Sequence, residues 1–180
     1  MNTLKRTLLC AAFAAALAIP QTPPLGTVSP RILGETANGT PIELPDAAAG
    51  KVTLLILGFS KQGGQQTGAW ADRVSQDLAS DPHFTRYTIA VLEGVPTLLR
   101  GMVKSGIEKG TPPAKRDHMV TTVSGQAAWK KYAGVTDTKV PYLVLLDGGG
   151  HLRWRGHGLF EQQQYEALRA AVKNLEADGK

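Results

Sequence analysis

The stretch KVTLLILGFSKQGGQQTGAW, residues 51–70, decides the fold class because it joins an apolar run to a polar, glycine-rich loop. The run KVTLLILGF, residues 51–59, is too continuously apolar for a half-solvated strand, and it predicts a central strand buried on both faces. After the loop, Trp70, Val74 and Leu78 recur at helical spacing. The loop therefore lies where a buried strand ends and a helix begins.

The chain downstream continues this alternation of strands and helices. RYTIAVLEG, residues 86–94, predicts a second buried strand, and residues 96–110 carry apolar residues at helical spacing before a Thr-Pro-Pro break. HMVTTV, residues 118–123, predicts a short third strand. We expect Ser124 to be the N-cap of the next helix and Gly134 its C-terminal cap.

Both ends of this region add antiparallel pairs. Asn38-Gly39 lies between two short runs and predicts a hairpin. VPYLVLLDGGGHLRWRG, residues 140–156, predicts two antiparallel strands joined by a glycine turn. The last helix, 161–177, is expected to place Tyr165, Leu168, Val172 and Leu175 in the core. The order predicts an α/β fold with a central mixed sheet flanked by helices.

The N-terminus has the composition of a secretory signal peptide. Lys5 and Arg6 precede the apolar run 8–19, which is shorter than the roughly 20 residues of a spanning helix. We therefore expect a signal peptide over 1–18, cleaved near Ala18, and a proline-rich linker over 19–29. The protein is then periplasmic or otherwise extracytoplasmic. An uncleaved membrane anchor is the alternative.

Cysteine content excludes thiol chemistry from the predicted mature chain. The chain has one cysteine, Cys10, and it lies within the predicted signal peptide. Disulfides, thiol nucleophiles and cysteine metal ligands are then absent from the mature protein. Formal net charge is +5, and loss of Lys5 and Arg6 leaves +3. Seven basic residues lie in the segment 100–131: Arg100, Lys104, Lys109, Lys115, Arg116, Lys130 and Lys131.

The strand, the loop, the later Val-Pro before an apolar strand, the DGGG turn and the C-terminal helix together resemble a thioredoxin-like domain, here spanning 30–180. In that family the loop holds a Cys-x-x-Cys motif, which faces a cis-proline across the site. The resemblance places Gly64 and Thr67 at the two cysteine positions. It places Val140-Pro141 at the cis-proline and makes the 96–116 segment a helical insertion before the cis-proline strand.

A closer likeness covers most of the mature chain. Residues 50–70, the block LLRGMVKSGIEKGTPPAKRDHMVTTV (98–123) and residues 140–160 resemble the thioredoxin-like assembly factor ten of mitochondrial ATP synthase. That family helps to build the membrane-embedded proton-channel sector. The likeness implies an assembly or chaperone-like factor whose partner is a protein subunit of a membrane complex.

The loop after the first core strand has three interpretations. Ser60 or Thr67 could serve as a hydroxyl nucleophile only beside an oriented base, and the four histidines form no diagnostic motif. A loop that binds a partner through Ser60, Lys61, Gln62, Gln65 and Gln66, opposite Val140 and Pro141, is the second interpretation. An ordinary helix entry is the third. We expect no catalytic residue and no cofactor.

The remaining basic residues suggest contacts rather than metal binding. Strand alternation places His151, Arg153 and Arg155 on one face, with Leu152 and Trp154 on the other. Two cations beside the histidine oppose a divalent metal, so we expect no metal site. This face is either a solvated surface or a contact for an acidic partner or anionic lipid. Few aromatic residues and the predicted export argue against nucleic acid binding.

The apolar stripe within 96–110 also has two interpretations. Leu98, Leu99, Met102, Val103 and Ile107 either pack on the sheet or form a docking element for a hydrophobic partner. In the second case the neighbouring Lys104, Lys109, Lys115 and Arg116 would meet anionic head groups, each contributing about 1 kcal/mol.

These observations predict a redox-inactive, thioredoxin-fold accessory protein that works near a membrane. The alternatives are a thioredoxin-fold enzyme with non-thiol chemistry and a structural envelope module. Thiol oxidoreductase and peroxidase activities are not expected, because both reactions need sulfur.

Overall fold

The computed structural model describes residues 22–177, so the predicted signal peptide lies outside the described residues. The strands are β1 Ile32–Thr36, β2 Pro41–Leu44, β3 Val52–Gly58, β4 Phe84–Val91, β5 Met119–Thr122, β6 Tyr142–Leu146 and β7 Leu152–His157. The helices are α1 Lys61–Gln65, α2 Thr67–Leu78, α3 Thr97–Gly110, α4 Gln126–Ala133 and α5 Gln162–Ala177. Short 3-10 turns cover Asp46–Ala48 and Pro113–His118.

The strands form one mixed sheet in the order β2-β1-β5-β4-β3-β6-β7. The three central strands β3, β4 and β5 are parallel, and the outer pairings are antiparallel. Every residue of β3 is buried, which explains its unbroken apolar run. Gly39 takes φ +80° in the turn between β1 and β2, so the predicted hairpin is confirmed.

Two apolar layers hold the helices against the sheet. On one face α2 and α5 bury Trp70 and Tyr165 against β3 and β6, and all four predicted core residues of α5 are buried. On the other face α4 buries Trp129 and Tyr132, together with Phe59 from the end of β3. The predicted order of elements and the α/β fold are confirmed.

Two local predictions are wrong. Gly125, with φ +80°, precedes α4 in place of Ser124, and the Glu93 carboxylate accepts from the Gln126 backbone N–H at 2.6 Å. The carboxylate thus supplies the cap that a serine side chain was expected to supply. The Val140-Pro141 bond is trans, and the cis bond among the described residues is Leu44-Pro45. Trans is the default for an X-Pro bond when nothing in the local packing imposes cis.

The predicted alternation of β7 is also wrong. A register shift between Leu145 and Leu146 inserts an extra residue opposite β6, so Leu152 and Trp154 contact opposite apolar layers. His151, Arg153 and Arg155 therefore do not form one continuous stripe. In the region predicted as a linker, the Gly26 and Ser29 backbone N–H groups donate to carbonyls at the start of β7 and just before it.

Candidate functional site

The loop after β3 is tied to the segment that precedes Pro141. The Ser60 hydroxyl accepts from the Gly63 backbone N–H at 3.1 Å and donates to the Thr138 carbonyl at 2.7 Å. Gly63 lies so close to this segment that a Cβ there would be 2.6 Å from the Thr138 oxygen. The packing fixes the start of α1, so Ser60 is a structural cap as well as a residue of the loop.

Gly64 and Thr67, which the thioredoxin-like resemblance assigns to the two cysteine positions, differ in their surroundings. The Thr67 hydroxyl donates to the Gly64 carbonyl at 2.7 Å, and the Thr67 side chain is buried. A Cβ on Gly64 would meet nothing within 4 Å, so this position borders open space. Neither Ser60 nor Thr67 is hydrogen-bonded to a histidine or a carboxylate within residues 22–177. The geometry gives no activated hydroxyl.

Helix α3 stands away from the sheet. None of its residues is buried, and Leu98 and Met102 are 96% and 74% exposed. An ion pair joins it to β1, with the Lys104 Nζ 2.8 Å from Glu35 Oε2, and Arg100 donates to carbonyls in the preceding turn. Of the two interpretations of its apolar stripe, the structure does not show close packing on the sheet.

A groove of about 1050 Å³ lies between α3 and the rest of the molecule. This volume is at the upper limit of ordinary small-molecule pockets. One wall is the inward side of α3, with Met102, Val103 and Ile107, and the opposite wall is the start of α1 and α2. Side chains of β4 form the floor. The polar residues of the lining include Ser60, Lys61, Gln65, Thr67, Asp72, Arg86, Thr88, Lys115 and His118.

Positively charged side chains outnumber negatively charged ones at one end of the groove. Lys115 Nζ lies 2.6 Å from Asp72 Oδ1, so this pair is close to neutral. The Arg86 Nε donates to the Ser75 hydroxyl at 2.7 Å, and no described carboxylate is within ion-pair distance of its guanidinium. Burial lowers the pKa of Arg86, and Asp72 opposes the shift, but a guanidinium stays protonated near neutral pH. The groove is therefore positive.

His118 borders Arg86 and contributes no charge at neutral pH. Burial, with the nearby Arg86 guanidinium, lowers the pKa of His118 below its usual value. Its Nδ1 is buried without a hydrogen-bond partner among the described residues, and its ring lies 5.3 Å from that of Tyr87. The charged group on the groove floor is thus the guanidinium, which has no ion pair among the described residues.

The structure distributes the sequence-predicted binding residues over several environments. Ser60, Lys61, Gln65 and Lys115 line the groove, whereas Gln62 and Gln66 lie beside it on α1 and its end. Pro141 is buried at the start of β6, and the Val140 carbonyl lies behind Gly63. The other predicted basic residues lie outside the groove: Lys104, Lys109, Arg116, Arg153 and Arg155.

Most of these outer cations contact other parts of the fold. Arg153 pairs with Asp147 at 2.7 Å, and Arg155 donates to the carbonyls of Tyr132 and Pro23. Arg116 donates to the Thr111 carbonyl, which closes the turn after α3. Lys109 is exposed in the last turn of α3.

Sequence reasoning missed Arg86 and His118 as part of this site. Both belong to segments interpreted as strands, and the one signal was a charged residue entering the apolar run of β4. Within residues 22–177 no group of three or more His, Cys, Asp or Glu side chains is placed to hold a metal ion. Over the same residues, no helix has the length and apolar character needed to span a membrane.

Comparison with known families shows that the chain belongs to the ATP10 protein family, whose model matches residues 26–175. The match includes α3 and both walls of the groove. No curated protein matches the chain.

Solved structures with a similar fold are distant in sequence. A putative thiol:disulfide interchange protein DsbE from Chlorobium tepidum is 17% identical, with a TM-score of 0.59 over 84% of this chain and 97% of its own. Etrx1, the exposed lipoprotein thioredoxin of Streptococcus pneumoniae, is 17% identical, with a TM-score of 0.56 over 81% and 99%. BsSco, of the Sco family of cytochrome c oxidase assembly proteins, is 14% identical, with a TM-score of 0.59 over 87% and 98%. These similarities establish the thioredoxin fold.

Proposed function

We propose that this ATP10 family protein is a redox-inactive assembly factor, exported from the cytoplasm, for a membrane complex of the ATP synthase type. It holds an apolar segment of a membrane-sector subunit in the groove beside α3 while the complex forms. The observation that carries the proposal is α3 itself, a helix with an apolar stripe and no buried residue, which borders a groove lined on its other side by the loop after β3.

Two features support a binding role over an enzymatic one. Gly64 and Thr67 occupy the cysteine positions, and residues 22–177 contain no cysteine, so disulfide exchange has neither attacking nor leaving group. The hydroxyls of Ser60 and Thr67 donate to backbone carbonyls rather than contacting a base. The site keeps the shape of a thiol site without a reactive group.

The exposed side of α3 supports work close to a membrane. Leu98 and Leu99 lie exposed near its start, outside the groove lining, and Lys109 lies in the last turn. An apolar patch followed by a cation suits the boundary between the acyl chains and the head groups of a bilayer. Such contacts orient a protein without anchoring it.

Depletion followed by complementation tests the proposal. Gly106 lines the groove with open space beside it, so Gly106→Trp is expected to fill the groove while the fold is retained. Cells that carry only this variant are expected to make the membrane-sector subunits but to accumulate less assembled complex on native gels. Gly101→Trp, at an open position on the same helix but outside the groove lining, is the matched control.

The timing of depletion separates assembly from permanent support. An assembly factor is needed only while new complex forms, so complexes completed before depletion are expected to persist. Loss of completed complexes at the same rate as new ones would instead indicate a structural envelope module. Normal assembly in cells that carry Gly106→Trp would contradict the proposed use of the groove.

A further inference from the structure

We infer that the segment held in the groove is an apolar helix that carries a carboxylate, and that Arg86 pairs with this carboxylate. The inference rests on the proposed function and adds the chemistry of the bound segment. It follows from the difference between the two sides of the groove and from the charge on its floor.

The α3 wall suits an apolar helix. With 14 residues and a rise of about 1.5 Å per residue, α3 is about 21 Å long. Met102, Val103 and Ile107 line the groove, and Gly106 and Gly110 also line it without a side chain that would narrow it. An elongated apolar wall with small residues matches the side of a second helix better than a compact ligand.

The opposite side of the groove favours a negatively charged group on the bound segment. Its charged lining residues are Lys61, Asp72, Arg86 and Lys115, and the Asp72–Lys115 pair cancels. Lys61 on the wall and Arg86 on the floor then remain without an ion pair among the described residues, and Arg86 has a serine hydroxyl as the partner of its Nε. A half-buried guanidinium is stabilised by a carboxylate, which it can bind through two parallel hydrogen bonds.

The position of Arg86 places the carboxylate near one end of the groove. Thr88 pairs with Met119 in the sheet, so Arg86 lies next to the turn that carries Lys115 and His118. A lipid phosphate is a poorer occupant, because it would bring a mobile acyl chain to a helical wall about 21 Å long that suits the side of another helix.

Two synthetic peptides test the inference on the full-length protein. Both are 20-residue helices of leucine and alanine with lysine ends, and they differ only in a central Glu or Gln. We expect fluorescence anisotropy in a neutral detergent to show about tenfold tighter binding of the Glu peptide, which is about 1.4 kcal/mol. Arg86→Gln is expected to abolish this preference and Arg86→Lys to keep part of it.

Lys109→Gln, which removes an exposed cation outside the groove, is the matched control and is expected to keep the preference. Added salt is expected to reduce the preference of the wild-type protein, and this measurement remains informative if Arg86→Gln fails to fold. Circular dichroism and thermal melting check the fold of each variant.

Each failure has a distinct meaning. Equal binding of both peptides, lost in Gly106→Trp, would overturn the carboxylate inference and leave the proposed function intact. Absence of binding by either peptide would contradict both. Binding to vesicles with anionic lipid that depends on Arg86, without any peptide preference, would assign the site to a phosphate and overturn the inference.

Discussion

The Asp147 carboxylate organises the turn between β6 and β7, although the sequence of this turn, DGGG, is mostly glycine. The residue is 5% exposed and accepts hydrogen bonds from the backbone N–H groups of Gly149 and His151 and from the Arg153 guanidinium. Burial alone would raise its pKa, but these donors together hold the pKa of Asp147 below its usual value. The guanidinium of Arg153 is therefore part of the turn before β7.

Asp147→Asn is expected to reduce the free energy of unfolding by about 2–4 kcal/mol, because it leaves the Arg153 charge without its anion. Urea denaturation measures the loss. Asp46→Asn, which removes an exposed pair with Arg31, is the matched control and is expected to cost less than about 1 kcal/mol. Equal losses in the two variants would contradict the assignment.

The same carboxylate predicts a pH dependence. Folding lowers the pKa of Asp147 from an unfolded value of about 3.9, so the carboxylate makes its full stabilising contribution above this pH. The contribution is lost as the pH falls below about 4 and through the folded pKa. The wild-type protein is expected to lose stability more steeply than Asp147→Asn between about pH 5 and pH 2. If the wild-type protein and Asp147→Asn lost stability equally over this pH interval, the result would argue against this role of Asp147.

Gly63 and Gly64 are neighbours with opposite constraints. A Cβ at Gly63 would collide with the Thr138 carbonyl, whereas a Cβ at Gly64 meets nothing within 4 Å. We expect Gly63→Ala to destabilise the protein by about 1–3 kcal/mol and Gly64→Ala to be neutral or slightly stabilising. Thermal melting of the two variants distinguishes them. Similar melting temperatures would show that α1 is not fixed to the Thr138 segment.

Helix α3 is the element in which sequence pattern and structure differ most. Its apolar residues follow a helical period, as those of α5 do, and the pattern alone predicts both helices. The pattern cannot tell which of the two stripes meets the sheet, because burial depends on where the connecting segments place each helix. Residues of α5 are buried, whereas those of α3 border a groove.

Polar substitutions on α3 are expected to leave the fold intact. Leu98→Gln with Met102→Gln removes exposed apolar groups, so the free energy of unfolding is expected to change by less than about 1 kcal/mol. Assembly of the membrane complex is expected to fall, since the variant removes Met102 from the groove wall and Leu98 from the exposed apolar patch. Leu168→Ala in α5 is the contrasting variant and is expected to cost about 2–5 kcal/mol. A similar loss of unfolding free energy in the α3 double variant would indicate that α3 packs in the core.

For the whole molecule, the sequence was sufficient for the fold and insufficient for the site. Continuous apolar runs, Asn38-Gly39 and the spacing of the helices predicted the sheet and its layers, because these signals depend on local chemistry. The β7 bulge depends on pairing with a distant strand, and it moved Arg153 and Arg155 away from a shared face. Arg86 joins the site through strand pairing and helix placement, for which the sequence has no local signal.

The fold as a whole also predicts that thiol chemistry can be restored. Gly64→Cys with Thr67→Cys puts two sulfurs three residues apart in the loop after β3, at the positions that the thioredoxin-like resemblance assigns to the cysteines. We expect this variant to form a disulfide and to reduce insulin in the presence of dithiothreitol, while the wild-type protein stays inactive. Insulin reduction by the wild-type protein would contradict the redox-inactive assignment.

The proposed role of the α3 groove is to receive an apolar segment of a membrane-sector subunit. Site-specific photo-crosslinking in living cells tests it most directly, with the photoreactive residue at Val103 in the groove wall or at the exposed Gln163 on α5 as the control. We expect a photoreactive residue at position 103 to form an adduct with a membrane subunit. This adduct should be lost in Gly106→Trp and should not form from position 163. Adducts of equal yield from both positions, or none from Val103, would contradict it.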